Sequence, residues 1–185
     1  MNHKAGERVE YVVTFLEMDL RPAYPRPHLP TGPASALIAA EAPPSWYFLD
    51  LYRAVGRDHE WTDQHRKSPA ELTAFLHDPA VTLYTFLRSG WPHGFFILDG
   101  REPGICDLAY FGLVPEAIGQ GLGLFLIETA VHMAWDREGV RRMTVNTNSL
   151  DHPRALPLYQ RAGFEPVRRE THSRVLTRDR DTIGA

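Results

Sequence analysis

The stretch from Leu108 to Phe125 constrains the fold of this chain most, because it predicts a strand, a tight turn and a helix in direct succession. Leu108–Val114 is an apolar run of strand length, and Pro115 ends it. Glycines then occupy the alternate positions 119, 121 and 123. From Gly121 to Arg137 the apolar residues recur at helical spacing. The pattern therefore predicts a buried strand joined to a helix by a glycine-rich turn.

A glycine turn that leads directly into a helix is typical of a phosphate-binding site. Successive backbone N–H groups in such a turn form a concave anion site, and the helix adds unpaired N–H groups and a positive dipole end. Glycine also lets the backbone approach a phosphate without a Cβ between them. The sequence therefore predicts a phosphate group near residues 119–124 without naming the ligand.

Two common phosphate-binding motifs do not fit this turn. A G-x-G-x-x-G dinucleotide fingerprint would need its last glycine at Leu124 or Leu126, and Met143–Thr147 lacks the acidic residue expected about twenty positions later. A P-loop needs lysine after its last glycine, whereas Gly123 is followed by Leu124.

A third motif fits, and with it the chain resembles the GNAT N-acetyltransferases. Ile118–Gly123 is similar to their acyl-CoA turn, Gln/Arg-x-x-Gly-x-Gly/Ala, although Ile118 stands where that family has Gln or Arg. Ala155–Phe164 is similar to their A-x-x-L-Y-x-x-x-G-F block. A predicted helix and strand of suitable length separate the two motifs, and the resemblance covers roughly Val81–Arg169.

Composition and charge narrow the function classes. The 185 residues predict one domain over 1–185, and a net charge of −3 argues against nucleic acid or an anionic membrane as an obligatory partner. A single cysteine, Cys106, excludes an internal disulfide and a cysteine zinc cluster, and its strand position predicts a buried thiol rather than a nucleophile. No signal peptide or apolar run of transmembrane length is apparent, so a cytoplasmic protein is expected.

The order of predicted elements is strand, helices, three antiparallel strands, helix, strand, helix, strand, which indicates an α/β mixed sheet with helices on both faces. The predicted strands lie at Arg8–Met18, Val81–Arg88, His93–Asp99, Ile105–Val114, Arg142–Asn148 and Phe164–Leu176. The main predicted helices lie at Ser45–Val55, Ser68–His77, Gly121–Arg137 and His152–Ala162. The segment Ala34–Glu41 is predicted as a short helix, and the proline-rich Arg21–Pro33 as a stiff surface connector.

The resemblance implies a GNAT-like single domain whose mostly antiparallel, twisted sheet splays between the fourth and fifth predicted strands. The pantetheine arm of acetyl-CoA would occupy that gap in the place of a strand. The acyl-CoA-binding core would occupy about residues 81–169, and a variable substrate-side segment about residues 19–78.

The resemblance also implies which residues bind the co-substrate acetyl-CoA. Phe111, Gly112 and Leu113 match the positions that contact the acyl and pantetheine groups through the main chain, although the same three residues suit a plain buried strand. Asn148 is expected to hydrogen-bond substrate or cofactor, and His152 stands where the family often has Asn, although it also suits a helix cap. The turn would hold the diphosphate through Gly119, Gln120, Gly121, Leu122, Gly123 and Leu124.

Acyl transfer to an amine needs a proton donor for the departing thiolate and a base for the amine. Tyr159 matches the family tyrosine near the CoA sulfur, so its phenol is the predicted donor, with a core tyrosine as the alternative. Asp107 is the first candidate base, because partial burial at the start of an apolar strand raises a carboxyl pKa. Its alternative is a strand end carboxylate in solvent, and Glu116 is the second candidate base.

Aromatic residues before the core are candidates for the acceptor pocket, and one or two of four are expected to contact substrate. Asn146 is predicted to hydrogen-bond the substrate. The aromatic candidates, which suit a hydrophobic core equally well, are Trp46, Tyr47, Tyr52 and Trp61.

The predicted function is therefore an acetyl-CoA-dependent N-acetyltransferase that acts on a primary amine of a small molecule in a ternary complex. A catalytically silent acyl-CoA-binding module and a protein or peptide N-acetyltransferase are the alternatives. No metal is predicted, since an H-E-x-x-H zinc motif from His59 would need His at Asp63. A homodimer through paired edge strands is also compatible with the resemblance.

Overall fold

Seven strands form one mixed sheet in the computed structural model, which describes residues 3–181. The strands are β1 Arg8–Met18, β2 Ser35–Ala40, β3 Val81–Arg88, β4 Trp91–Asp99, β5 Ile105–Leu113, β6 Arg142–Asn148 and β7 Glu165–Val175. The helices are α1 Ser45–Gly56, α2 Pro69–Leu76, α3 Leu122–Trp135 and α4 Ala155–Arg161. Their order across the sheet is β2-β3-β4-β5-β6-β1-β7, and all neighbours are antiparallel except β5 and β6.

The prediction of a helix at Ala34–Glu41 is wrong, because this segment forms β2. Ser35–Ala40 pairs antiparallel with β3, with Ser35 opposite Arg88 and Ala40 opposite Leu83. Alanine and serine carry little preference for the strand, so the pairing partner decided the conformation. The extra strand makes the predicted fourth and fifth strands β5 and β6.

The sheet splays between β5 and β6, as predicted. These two strands pair in parallel only where Ile105–Asp107 lies beside Arg142–Thr144. Beyond that point β5 stays paired with β4 as far as Leu113, and β6 stays paired with β1 as far as Asn148. The main-chain groups of β5 that point away from β4 therefore face a gap rather than a neighbouring strand.

Helices cover both faces of the sheet. Phe48 of α1 lies 5.3 Å from Tyr110 of β5 between ring centroids, whereas Tyr159 of α4 lies 6.0 Å from Phe111, the next residue of the same strand. Since successive strand residues point to opposite faces, α1 and α4 lie on opposite sides of the sheet. Helix α3 packs beside α4, and α2 packs beside α1.

Local sequence signals explain where several elements begin. At the start of α2, Ser68 and Glu71 form the predicted capping box, in which the Ser68 N–H donates to the Glu71 carboxylate at 2.8 Å. Strand β4 begins at Trp91 rather than at the predicted His93. Ser89 and Gly90 both have positive φ and close the β3–β4 hairpin as a two-residue turn.

The proline-rich segment Arg21–Pro33 crosses α3 and α4 as a connector without strand or helix. The Tyr24 hydroxyl donates to the Ala162 carbonyl at 2.9 Å, and the His132 ring lies 3.1 Å from the Tyr24 carbonyl oxygen. These contacts fix the connector against the helical face, as expected for a stiff surface segment. None of the helices within residues 3–181 has the length and apolar character needed to span a membrane.

Candidate functional site

One cavity of about 920 Å³ opens in the gap between β5 and β6, and it is called the gap cavity below. Its walls come from the glycine turn, β5, β6, α4 and the loop after α1. Its lining includes Tyr52, His59, Glu60, Trp61, Asp63, Phe111, Gly112, Leu113, Gly119, Gly121, Leu122, Gly123, Leu124, Asn146, Asn148, Asp151, His152 and Tyr159. The gap cavity therefore brings together most of the residues that the sequence proposed for acyl-CoA.

The glycine turn is open toward the gap cavity. Gly119 and Gly121 have φ of +85° and +74°, and a Cβ added at either residue would meet no atom within 4 Å. Gly121 directly precedes α3, so the unpaired N–H groups of the helix start at this turn. Gln120 does not line the gap cavity, because its side-chain amide donates to the Glu116 carbonyl at 2.9 Å. Any contact from Gln120 to a diphosphate would therefore come from its backbone.

Packing against α1 requires a glycine at position 112. A Cβ on Gly112 would lie 2.3 Å from Cγ1 of Val55 in α1. The glycine thus lets α1 approach β5 closely, and the backbone of Phe111–Leu113 still lines the gap cavity. The sequence resemblance had related Gly112 to acyl-CoA and not to the packing of α1.

Tyr159 is buried on the wall of the gap cavity, with 6% of its surface exposed. Burial raises the pKa of its phenol well above the usual value, and the nearby carboxylates of Asp151 and Asp107 raise it further. The phenol is therefore protonated throughout the physiological range.

Neither predicted carboxylate base lines the gap cavity. Asp107 lines a second cavity of about 630 Å³ at the closed end of the gap, and its carboxylate accepts a hydrogen bond from the Thr144 hydroxyl at 2.6 Å. Burial raises the pKa of Asp107, as its position suggested. Asn146 lines both cavities.

Glu116 is poorly placed to act as a base. Its exposed carboxylate accepts a hydrogen bond from Arg57 at 2.7 Å. Its own backbone N–H and Arg57 hold the pKa of Glu116 below the usual value. A carboxylate stabilised in this way is a weak proton acceptor.

Two of the four aromatic candidates reach the gap cavity. Tyr52 and Trp61 line it with ring centroids 5.1 Å apart. Trp46 is 62% exposed and lies outside the lining, and the hydroxyl of Tyr47 bonds the Thr85 hydroxyl at 2.8 Å on the far side of α1. The prediction of substrate contact is therefore not supported for Trp46 and Tyr47.

Sequence reasoning missed Asp151, which organises one wall of the gap cavity. Its Oδ1 accepts the Trp61 indole N–H at 3.0 Å. Its Oδ2 accepts the Thr147 hydroxyl at 2.9 Å and the Asn148 side-chain amide at 3.1 Å. The adjacent His152 was singled out, but only the fold shows that Asp151 joins β6 to the loop after α1.

His59 was also missed, since it was considered only as a zinc ligand. Its ring lies 6.1 Å from that of His152, and both residues line the gap cavity. Burial lowers the pKa of both imidazoles. No group of three His, Cys, Asp or Glu side chains among residues 3–181 is arranged to hold a metal ion.

The structure is thus an α/β domain whose sheet splits between two parallel strands, with an open glycine turn at the mouth of the split. The model of the acetyltransferase (GNAT) family matches residues 47–164, which is more than half of the sequence. The chain therefore belongs to the acetyltransferase (GNAT) family. No curated protein sequence matches it.

Solved structures share the fold at low sequence identity. A GCN5-related N-acetyltransferase from Kribbella flavida superposes with a TM-score of 0.58 and 21% identity over 88% of this chain and 56% of its own length. A spermidine N-acetyltransferase from Vibrio cholerae, solved with CoA and spermine, gives a TM-score of 0.56 and 19% identity over 71% of this chain and 80% of its own. The chain spans between half and two-thirds of the first three solved structures that it matches.

Proposed function

We propose that this chain is an acetyl-CoA-dependent N-acetyltransferase that moves an acetyl group to the primary amine of a small molecule by direct transfer in a ternary complex. The observation that carries the proposal is that the open glycine turn, the segment of β5 that no longer pairs with β6 and the Tyr159 phenol all line one cavity. Such a cavity holds a thioester and an amine together, and that proximity supplies a large part of the rate.

Acetyl-CoA fits the chemistry of the walls. The backbone N–H groups of residues 119–124 would bind the diphosphate, because Gly119 and Gly121 carry no Cβ and the space beside each of them is open. The pantetheine arm would lie along Phe111–Leu113 in the gap. Asn148 and His152 supply polar groups on the facing wall.

The reaction needs no covalent enzyme intermediate. The amine nitrogen attacks the thioester carbonyl carbon, and the carbon–sulfur bond then breaks. Tyr159 donates its proton to the departing sulfur, and the proton that the nitrogen loses returns the phenol to its starting state. Cys106 takes no part, because it is fully buried and burial raises the pKa of its thiol to about 11.

A small amine suits the remaining space. Tyr52 and Trp61 offer flat apolar surfaces, and Asn146 offers a side-chain amide. The similar protein from Vibrio cholerae is described as a spermidine N-acetyltransferase, which supports an amine acceptor here.

Thiol release from acetyl-CoA tests the proposal with a panel of diamines, polyamines, arylalkylamines, amino acids and a peptide with a free amino terminus. Tyr159→Phe is compared with Tyr84→Phe, a matched control whose ring stacks on Phe96 away from the gap cavity. We expect turnover with a small amine, a loss of roughly 100-fold in kcat for Tyr159→Phe, and an unchanged kcat for Tyr84→Phe.

Two other outcomes would change the proposed function. CoA binding without turnover on any acceptor, together with no effect of Tyr159→Phe, would indicate a silent acyl-CoA-binding module, which the isoleucine at position 118 favours. Turnover with the peptide alone would indicate a peptide N-acetyltransferase.

A further inference from the structure

The proposed acyl transfer leaves one proton without an acceptor. An alkyl amine has a pKa near that of lysine, about 10.4, so it enters the site as an ammonium ion. One proton must leave the nitrogen before it attacks, and a basic side chain on the cavity wall would accept it more readily than water. The two carboxylates expected from the sequence, Asp107 and Glu116, lie outside the gap cavity.

The carboxylates inside the gap cavity are already engaged. Asp151 accepts hydrogen bonds from Trp61, Thr147 and Asn148. Glu60, whose side chain is 2% exposed, accepts the backbone N–H and the hydroxyl of Thr177 at 3.1 and 2.9 Å. Proton uptake by either would break these bonds.

Asp63 is the third carboxylate on this wall. Its side chain is 64% exposed and lies 3.7 Å from Arg174. Asp63 is therefore also engaged, by an ion pair with Arg174 at the surface.

The imidazoles of His59 and His152 differ in the hydrogen bonding of their Nδ1 atoms. His152 Nδ1 accepts the backbone N–H of Arg154 at 3.1 Å, which places the ring proton of the neutral form on Nε2. His152 thus presents a donor. His59 Nδ1 is buried and has no hydrogen-bond partner among residues 3–181, so no hydrogen bond at this nitrogen fixes the tautomer of the ring.

The charges around His59 suit a reversible proton acceptor. Burial lowers its pKa most, which keeps the ring neutral before the reaction. Arg180 and His152 act in the same direction, whereas Asp151 and Asp58 favour the imidazolium. The Asp151 carboxylate would therefore stabilise the charge that His59 gains.

We propose that the His59 imidazole accepts the proton that the acceptor ammonium loses in the gap cavity. The inference rests on the proposed function. The N–H bond of the ammonium breaks, its electron pair stays on nitrogen for attack on the thioester carbonyl, and the proton binds an imidazole nitrogen. His59 reaches this position because it precedes Trp61 by two residues on the loop after α1.

The test is the pH dependence of kcat/KM for His59→Gln with an amine that the wild-type protein acetylates. We expect a loss of roughly 100-fold at pH 7 for His59→Gln. The deficit should shrink as the pH approaches about 10, because the amine then loses its proton to solvent. His28→Gln, an exposed histidine in the connector, is the matched control and should follow the wild-type profile.

Three results would overturn the inference. One is a wild-type profile in His59→Gln, and another is a pH-dependent deficit in Asp107→Asn instead. The third result applies if His59→Gln does not fold: NMR titration of the His59 ring in the wild-type protein would then show an imidazolium at pH 7, which cannot accept the proton. Absence of turnover in the wild-type protein would instead reject the proposed function, while unchanged CoA affinity in His59→Gln would separate a proton role from a binding role.

Discussion

Comparing an alanine substitution at Gly121 of the turn with one at Gly139 separates the effect of backbone strain from the effect on ligand binding. Gly121 has φ of +74° and Gly139 has φ of +77°, and a Cβ on either would meet no atom within 4 Å. An alanine at either position therefore costs about 1–2 kcal/mol of left-handed strain without a clash. Gly121 lines the gap cavity, whereas Gly139 lies in the turn after α3, outside the lining.

The two variants should thus lose similar stability but differ in CoA affinity. At Gly121 the added methyl group occupies the open space where a phosphate oxygen would approach the backbone. Loss of one hydrogen bond to a charged group costs about 1.5–3 kcal/mol. This corresponds to a dissociation constant roughly 10- to 100-fold higher for Gly121→Ala.

Urea unfolding of both variants measures the strain, and titration calorimetry with CoA measures the affinity. We expect the unfolding free energy to fall by the same amount in both variants. The dissociation constant for CoA should be higher in Gly121→Ala alone. If Gly121→Ala bound CoA as tightly as Gly139→Ala does, the turn would not be the diphosphate site. A much larger loss of stability in Gly121→Ala would instead show that the space beside the turn is not free.

The remaining predictions concern packing and acid stability. Gly112→Ala should lower the free energy of unfolding by about 1–3 kcal/mol, because its Cβ would lie 2.3 Å from Val55, and adding Val55→Ala should recover part of that loss in urea unfolding. A double variant no more stable than Gly112→Ala would contradict the contact. Burial lowers the pKa of His59 and His152 in the folded protein, so the unfolded chain binds more protons just below its own histidine pKa of about 6.5. Stability should therefore fall as the pH drops through that value, and the fall should be smaller in His59→Gln; equal falls would refute the assignment.

Local pattern predicted much of the fold. Two features depend only on neighbouring residues and appear where expected. They are the succession of strand, glycine turn and helix around Gly121, and the capping box at Ser68. The splay between β5 and β6 followed from the resemblance rather than from periodicity. The prediction for Ala34–Glu41 was wrong because its alanines give no strong strand signal, and a partner strand 43 positions or more along the chain determined its conformation.

The candidate site residues show the same division. Tyr159 belongs to a local motif, so the sequence alone placed it beside the predicted acyl-CoA site. Asp107, Trp46 and His59 have no such motif. Only tertiary packing places Asp107 in the second cavity, His59 in the gap cavity and Trp46 in neither.

The sequence by itself predicted the family from the glycine turn and from the block that contains Tyr159, because each of these motifs depends on residues within about ten positions of one another. The tertiary structure alone decided that Asp107 lies in a second cavity and that His59, Trp61 and Asp151 form one wall with β6. These assignments join residues about 90 positions apart. Side-chain periodicity reports which face of an element is buried, but it does not report what that face meets.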